Sequence, residues 1–255
     1  MSIEFRDLAL QAQKGFFDFP MADPAFRVGF WNHLSSAETV CSEFDLSPAH
    51  YGFVWQGQGE LFFNNLRFQI QTGMYFCLPG PFAVSGNLAG IVMSGTESNA
   101  LVQPGIFQLG GPIEPEGRLK YIDGCSDTLL ISPPKLGMPC VNLLHIPPNT
   151  LQRYHTHPSF RFGIITDGNG SCDSDNRSDP LRPGTVFYIQ KNGNHRFRTD
   201  ESRLSVIAMH PDSDFGPDDS NHPMVNRTMV NGVSASELSM ADRMVEADKQ
   251  EELKT

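Results

Sequence analysis

The sequence contains no apolar run near the length of about 20 residues that a membrane-spanning helix needs. Residues 1–7 are charged and lack the apolar core of a signal peptide. Lys and Arg number 19 against 29 Asp and Glu, and the basic residues form no stripe. Because nucleic acids and anionic membranes are bound by clustered basic residues, neither is an expected partner at a net charge of −10.

Cysteine is scarce and has no pattern. An odd number, five, is present, and no two have the CxxC spacing of a redox or metal motif. We therefore expect free thiols and a cytoplasmic protein. The five are Cys41, Cys77, Cys125, Cys140 and Cys172.

Long helical patterns are also rare, since 19 Pro and 23 Gly interrupt the chain throughout. Short runs rich in β-branched and aromatic residues recur between these turns, which predicts an all-β fold. One segment, residues 234–253, predicts a C-terminal helix. Ser234 and Glu237 have the spacing of a capping box at its start, and its apolar side is expected to pack on a barrel or across a dimer seam.

Three histidines carry the clearest chemical signal. His155 and His157 are two residues apart, and side chains two apart on a strand share one face. The residues between His157 and His195 predict a β-hairpin. A neighbouring strand can therefore supply the His195 imidazole as a third ligand. Three imidazoles on a rigid sheet leave coordination positions open, as in metal enzymes.

The spacing resembles the cupin family, whose motifs read G-x5-H-x-H-x3-E-x6-G and G-x5-P-x-G-x2-H-x3-N. The matching residues are His155, His157, Gly168, Gly184 and His195. The chain departs from the motifs at Asn149, Gln190, Gly193 and Thr199, and Arg161 stands at the position of the metal-binding glutamate.

This resemblance implies double-stranded β-helix barrels with a metal held by His155, His157 and His195. Without the glutamate, the set is similar to the three-histidine iron sites of the gentisate, diketone and thiol dioxygenases of this superfamily. The resemblance favours one Fe(II), while imidazole ligands also suit Mn, Ni, Cu or Zn. The open positions would receive a small anionic substrate and O₂.

An internal repeat indicates two barrels in tandem. A shift of 111 residues places four glycines on four glycines and Phe76 on Phe187, far more coincidences than the glycine content predicts. The pairs are Gly52 and Gly163, Gly57 and Gly168, Gly59 and Gly170, and Gly73 and Gly184. We predict an N-terminal barrel over residues 1–112 and a C-terminal barrel with the helix over residues 113–255. A homodimer is a further expectation.

The same shift predicts that only the C-terminal barrel binds a metal. It places Phe44, Leu46 and Val84 at the positions of the three histidines, and none of these side chains is a metal ligand. His50 takes the place of Arg161 and is expected to be a hydrogen-bonded polar residue. The N-terminal barrel is therefore predicted to be degenerate.

Two further residues are candidates for catalysis. Strand alternation from His157 points Arg161 into the barrel, where its planar fork would bind a substrate carboxylate. The alternative is an arginine that reaches the barrel mouth or pairs with a structural acid. Tyr188, on the strand leading to His195, would donate to a bound oxygen species. Asn142 and His210 would orient a ligand histidine or line the barrel.

These residues favour a mononuclear metal oxygenase acting on a small anionic substrate. A metal-dependent lyase or isomerase is a second hypothesis. The metal would polarise a substrate carbonyl, and Tyr188 or a histidine would transfer the proton. A non-catalytic binding protein for a metabolite is the third, because fold alone does not determine function. Oxygen uptake separates the first two, and absence of metal would favour the third.

Overall fold

The structure, a computed structural model, describes residues 3–34, 41–44, 47–96, 106–133, 137–175, 177–212, 229–230 and 233–234. Met1–Ser213 make one compact unit and Asp214–Thr255 a second. The strands in chain order are β1 (Ile3–Asp7), β2 (Lys14–Phe16), β3 (Phe26–Asn32), β4 (Cys41–Phe44), β5 (His50–Phe63), β6 (Leu66–Gln71), β7 (Tyr75–Leu78), β8 (Phe82–Gly95), β9 (Gln108–Gly110), β10 (Leu119–Lys120), β11 (Ser126–Ile131), β12 (Cys140–Ile146), β13 (Arg161–Gly168), β14 (Gly170–Ser174), β15 (Arg177–Leu181), β16 (Thr185–Ile189), β17 (His195–Arg198), β18 (Leu204–His210), β19 (Met229–Val230) and β20 (Val233–Ser234).

The described residues contain no α-helix, and two short 3-10 turns lie at Leu8–Leu10 and Ile122–Gly124. The predicted helix over residues 234–253 lies outside the described residues, apart from Ser234, which ends β20. The predicted all-β architecture is therefore found in the described part of the chain. No helix in that part is long and apolar enough to span a membrane.

The described residues of the first compact unit form three sheets. An eight-stranded sheet has the order β2-β3-β8-β5-β7-β9, with β4 paired to β8 and β6 to β5. A seven-stranded sheet has the order β1-β16-β13-β18-β12-β11-β10, and a three-stranded sheet the order β15-β14-β17. Strand β1, from the chain's beginning, pairs with β16 and so belongs to the seven-stranded sheet.

Alternating side chains divide the buried residues into three cores. The N-terminal core lies within the eight-stranded sheet and includes Trp31, Phe44, Phe76 and Phe82. The C-terminal core lies between the seven- and three-stranded sheets, which we call the C-terminal sandwich. Its residues include Ile165, Phe187, Ile189 and Phe197.

The third core, here called the shared core, joins residues of the eight- and seven-stranded sheets. It includes Tyr51, Phe53 and Met93 from one and Phe162, Tyr188 and Met209 from the other. A residue on β13, β16 or β18 therefore faces either the shared core or the inside of the C-terminal sandwich. Neighbouring positions along these strands face opposite sides.

The strand register repeats with the shift of 111 residues found in the sequence. Tyr51 pairs with Cys77 on β7, and Phe162 pairs with Tyr188 on β16. Both long strands then have an irregularity at matching places, between Val54 and Gln56 on β5 and between Ile165 and Asp167 on β13. The order β3-β8-β5-β7 also matches the order β12-β18-β13-β16.

Close packing explains why a glycine and a phenylalanine recur together. A Cβ built on Gly52 would lie 2.1 Å from the ring of Phe76, and one on Gly163 would lie 2.5 Å from the ring of Phe187. These distances are shorter than any real carbon contact, so the phenylalanine fits only opposite glycine. Each half fills its core with the same glycine and ring pair.

Candidate metal centre

His155 and His195 are brought together by the backbone. The N–H of each residue donates to the carbonyl of the other at 3.0 Å, which makes an isolated antiparallel bridge. The expected regular strand through His155 and His157 is not present, because β13 begins only at Arg161. His157 is held instead by its carbonyl, which accepts from the Asn192 N–H at 2.8 Å.

The three imidazole rings form a compact cluster. The ring centroids of His155 and His195 are 4.5 Å apart, those of His155 and His157 5.0 Å, and those of His157 and His195 5.2 Å. One ring nitrogen of each residue lies within 4.8 Å of the others. His195 is buried and the other two are half-buried, so the cluster is open on one side. The structure thus assembles the three predicted ligands.

Hydrogen bonds fix which nitrogen two of these rings present. His155 Nδ1 lies 2.9 Å from the carbonyl of Arg153, and His195 Nδ1 lies 2.9 Å from the carbonyl of Gly193. A carbonyl only accepts, so each Nδ1 carries the proton in the neutral ring. The Nε2 lone pair is then left for a metal, an arrangement common among metal-binding histidines.

Two of the three rings, His157 and His195, are held in the neutral form that a metal needs. Burial lowers the pKa of His157 to about 2, with further lowering by the charges of Arg161 and the other two histidines. Burial also lowers the pKa of His195 to about 4, although the Gly193 carbonyl acts in the opposite direction. Both rings are therefore unprotonated at neutral pH, with no proton to displace before coordination.

Arg161 lies inside the C-terminal sandwich, beside the histidines. Its side chain is 4% exposed, and its charge lowers the pKa values of His157, His195 and His210. The guanidinium Nη1 donates to Ser159 Oγ at 2.5 Å and to the Phe160 carbonyl at 3.0 Å. Asp212 lies 3.9 Å away and also accepts from Ser159 Oγ at 2.7 Å. The cation therefore has an acidic neighbour at the edge of the site.

The second-rank candidates have separate places. His210 is buried on β18, and burial, then the charges of Arg161 and His157, hold its pKa well below the usual range. Asn142 does not orient a ligand histidine by the contacts described, since its Nδ2 donates to Asp127 Oδ2 at 2.8 Å. Asp127 was not singled out from the sequence, where it is one polar residue in the run Ser126–Thr128 with no motif around it.

Tyr188 lies on the other side of its strand. It packs in the shared core, where its ring stacks on Phe19 at 5.4 Å and contacts Phe160 at 5.5 Å. Its neighbours Phe187 and Ile189 face the C-terminal core instead. The phenol therefore points away from the histidine cluster, which corrects the predicted role of Tyr188. One residue of strand phase decides the difference.

The matching place in the N-terminal half holds aromatic rings. Phe44 pairs with Phe82 across β4 and β8, as His155 pairs with His195, and the two rings stack at 4.7 Å. The strand register therefore places Phe82 at the position that matches His195. The predicted match of Val84 to His195 is wrong. His50 hydrogen-bonds Ser94 at 2.8 Å and contacts the Phe82 ring. The third predicted match, Leu46, lies outside the described residues.

Comparison with known proteins agrees with this architecture. A family model of AraC-like ligand-binding domains, which are cupin-type domains, matches residues 146–216, the stretch that contains all three histidines. No curated protein sequence gives a significant match to the chain.

Solved structures resemble a much larger part of the chain. A cupin 2 conserved barrel domain protein from Leptotrichia buccalis has a TM-score of 0.53 at 14% identity, covering 82% of this chain and 89% of that one. Salicylate 1,2-dioxygenase from Pseudaminobacter salicylatoxidans has a TM-score of 0.58 at 11% identity, covering 78% and 76%. A complex of salicylate 1,2-dioxygenase with gentisate has a TM-score of 0.55 at 11% identity, covering 74% and 68%. The chain is a cupin-fold protein.

Proposed function

We propose that this protein is a metal-dependent cupin oxygenase that acts on a small anionic organic substrate. The observation that carries the proposal is the convergence of three imidazoles beside a buried arginine. The histidines would hold one divalent transition metal, and Arg161 would hold the anionic group of the substrate. His155 and His157 are half-buried, so a small molecule would reach the cluster from their side.

The residues present fit a metal. His155 and His195 each donate a hydrogen bond from Nδ1 to a backbone carbonyl, so their Nε2 lone pairs are available to a metal. A ring nitrogen of His157 would supply the third ligand. Three neutral ligands leave the metal's full positive charge and several coordination positions for substrate and O₂. Fe(II) is proposed because it would supply the one-electron chemistry that lets O₂ react with an organic substrate. A salicylate dioxygenase among the structural neighbours supports this choice.

Arg161 determines the proposed substrate class. A guanidinium binds a carboxylate through two parallel hydrogen bonds, and this one is already buried beside the ligands. Among its described contacts, the guanidinium donates to the Ser159 hydroxyl and the Phe160 carbonyl, and the Asp212 carboxylate lies 3.9 Å away. That a neighbour binds gentisate, an aromatic carboxylate, supports the same class.

A non-catalytic ligand-binding role is the second candidate. The matching family model describes a ligand-binding domain, and it covers the stretch containing the histidine cluster. In that case Arg161 would still bind an anion, but no substrate would be consumed.

Oxygen consumption distinguishes the two candidates. Iron-loaded protein is screened against small carboxylates under air and under argon, with an oxygen electrode and product analysis. The oxygenase proposal expects one class of carboxylate to cause O₂ uptake that argon abolishes. The matched control is the double variant His155→Ala, His157→Ala. Carboxylates that bind wild type without O₂ uptake or product would favour the ligand-binding role.

We also propose that the fold arose by duplication of one barrel, with the halves near residues 1–112 and 113–255. The repeated register, the repeated irregularity and the repeated glycine and phenylalanine pair support this. Loss of the metal site in the first half follows from aromatic replacement, since Phe44 and Phe82 stand where His155 and His195 stand.

A further inference from the structure

A carboxyl group that the proposed chemistry does not use lies inside the C-terminal sandwich. Asp127 on β11 is opposite Leu144 on β12, a residue that packs against the C-terminal core. Asn142 alternates with Val141 and Leu143, which face the shared core, so Asn142 also faces the inside. The acid and the amide thus share the interior with the candidate metal centre.

The two side chains make one hydrogen bond and leave two oxygens over. Asn142 Nδ2 donates to Asp127 Oδ2 at 2.8 Å. Asp127 is 8% exposed and Asn142 3% exposed. The remaining oxygens, Asp127 Oδ1 and Asn142 Oδ1, are both buried with no hydrogen-bond partner among the described residues. Each partner therefore has one acceptor oxygen without a donor, and a single proton shared between these two oxygens would satisfy both.

Charge compensation for an ionised Asp127 is lacking in the described part of the chain. The described ion pairs within 4.0 Å do not include its carboxyl group. Lys120 on β10 is exposed, and His145 on β12 is paired with Ser205 on the other side of the sheet. His210 on β18 and Arg161 on β13 face the interior at least one row of inward-facing side chains away from Asn142 along the strands. A buried carboxylate without a cation is costly, and the neutral acid avoids that cost.

We propose that Asp127 is a neutral carboxylic acid at pH 7, joined to Asn142 as an acid–amide pair. Asn142 Nδ2 donates to Asp127 Oδ2. The carboxyl proton lies between the other two oxygens, Asp127 Oδ1 and Asn142 Oδ1. Burial raises the pKa of Asp127, against the hydrogen bonds from Asn142 and the Thr128 backbone, which lower it. The pair is a specificity element, because it keeps negative charge out of the interior.

The consequence for substrate choice rests on the proposed function. An ionised Asp127 would offset the charge of Arg161 inside the same sandwich and weaken its attraction for an anion. A neutral Asp127 leaves that attraction intact. The interior then favours anionic over neutral ligands.

Infrared spectroscopy tests the protonation state directly in the full-length protein as isolated. Protein labelled with ¹³C-aspartate is compared with unlabelled protein at pH 7. We expect one carbonyl band in the region of protonated carboxylic acids that shifts with the label and disappears in Asp127→Asn. If no band in that region responds to the label, every aspartate is ionised and the proposal is overturned. This result depends on wild-type protein alone, so it holds even if the variant fails to fold.

Stability against pH gives a second test. Because the folded-state pKa of Asp127 is raised, its contribution is fully present below the unfolded pKa of about 3.9 and is lost as pH rises through the folded value. Asn at this position copies the neutral pair without titrating. We expect the folding constant of wild type to fall relative to Asp127→Asn by up to about tenfold per pH unit within that window.

The control is Asp18→Asn, since Asp18 has a side chain that is 89% exposed. It should show no such trend. Parallel pH curves for wild type and Asp127→Asn, or a wild type that gains on the variant as pH rises, would refute the neutral acid. Neither measurement requires a bound metal or substrate. Failure of the acid–amide pair is therefore separate from failure of the oxygenase proposal.

Discussion

Individual side chains at the candidate metal centre are prepared by their immediate neighbours. The Nδ1 atoms of His155 and His195 each face a backbone carbonyl two residues earlier, at 2.9 Å. This contact holds the ring orientation and selects the tautomer before any ligand binds. Burial then keeps His157 and His195 neutral. The local chain path therefore orients two of the three histidines.

Arg161 carries the residue-scale prediction. Arg161→Ala should keep the metal but weaken binding of an anionic ligand by about 2–5 kcal/mol, because the ligand's charge loses its buried partner. Arg161→Lys should restore only part of the loss, since a point charge cannot reproduce the two-point fork. Arg161→Glu should tighten metal binding and abolish activity, because it adds a carboxylate ligand. Metal analysis and calorimetric titration with the active carboxylate measure these effects.

The matched control for Arg161 is Arg153→Ala, which removes an arginine whose side chain is 83% exposed and paired with Asp123. It should leave ligand affinity nearly unchanged, because exposed ion pairs contribute little. Equal affinity in Arg161→Ala and wild type would assign Arg161 to structure and remove the main reason for an anionic substrate.

At the scale of strands, the repeat is maintained by steric fit. Gly52 and Gly163 stand in the same register position opposite Phe76 and Phe187, and both would clash with the ring if they carried a Cβ. The two positions differ in one respect. The three atoms nearest to a Cβ added to Gly52 would all be ring atoms of Phe76. A Cβ added to Gly163 would also lie 1.9 Å from the carbonyl oxygen of Ile207. A side chain can give way, but a backbone carbonyl in a ladder cannot do so cheaply.

This difference predicts unequal rescue. Gly52→Ala should destabilise the protein by about 1–3 kcal/mol, as overpacking does, and Phe76→Leu should recover part of that loss in the double variant. Gly163→Ala should be at least as damaging, and Phe187→Leu should not rescue it, because the carbonyl clash remains. Urea unfolding of the single and double variants gives the coupling energies. Equal rescue at both positions would contradict the packing described for β13.

The sequence predicted strand content from local patterns. It predicted the three-histidine cluster from the spacing of His155, His157 and His195, although the strand expected through the first two is not present. Turn glycines, apolar runs and the H-x-H spacing are visible without tertiary information. The predicted role of Tyr188 was wrong because alternation shows that neighbouring residues of β16 face opposite sides. It does not show which side faces the histidine cluster. Val84 was matched to His195 because the shift of 111 residues is not kept past β7, where register pairs Phe82 with Phe44. Asp127 has no motif, and its partner Asn142 lies on the next strand, 15 residues further along the chain.

Across the whole compact unit, the two halves depend on each other. The shared core takes large apolar residues from both, and β1 from the beginning of the chain completes the sheet that contains β16. Separation would expose rings such as Tyr51, Phe53, Phe162 and Tyr188 to water, at a cost of about 25 cal/mol per Å² of apolar surface. We therefore expect folding to need both halves, even though only one carries the three clustered histidines.

Expression of the halves tests this dependence. Residues 1–112 and 113–255 produced separately should be poorly soluble or lack cooperative unfolding, because each exposes its side of the shared core. Co-expression should restore a soluble complex, measured by gel filtration and circular dichroism. Two fragments that each unfold cooperatively on their own would contradict the role given to the shared core.

Metal stoichiometry tests the central claim most directly. Elemental analysis of the purified protein, reconstituted with Fe(II) without oxygen, should give about one transition metal per chain, because one half carries the ligands and the other carries Phe44 and Phe82. The double variant His155→Ala, His157→Ala should retain the fold and lose the metal. The control His145→Gln, on the other side of β12, should keep it. Near-unit metal retained in the double variant, or none bound by wild type, would contradict the account.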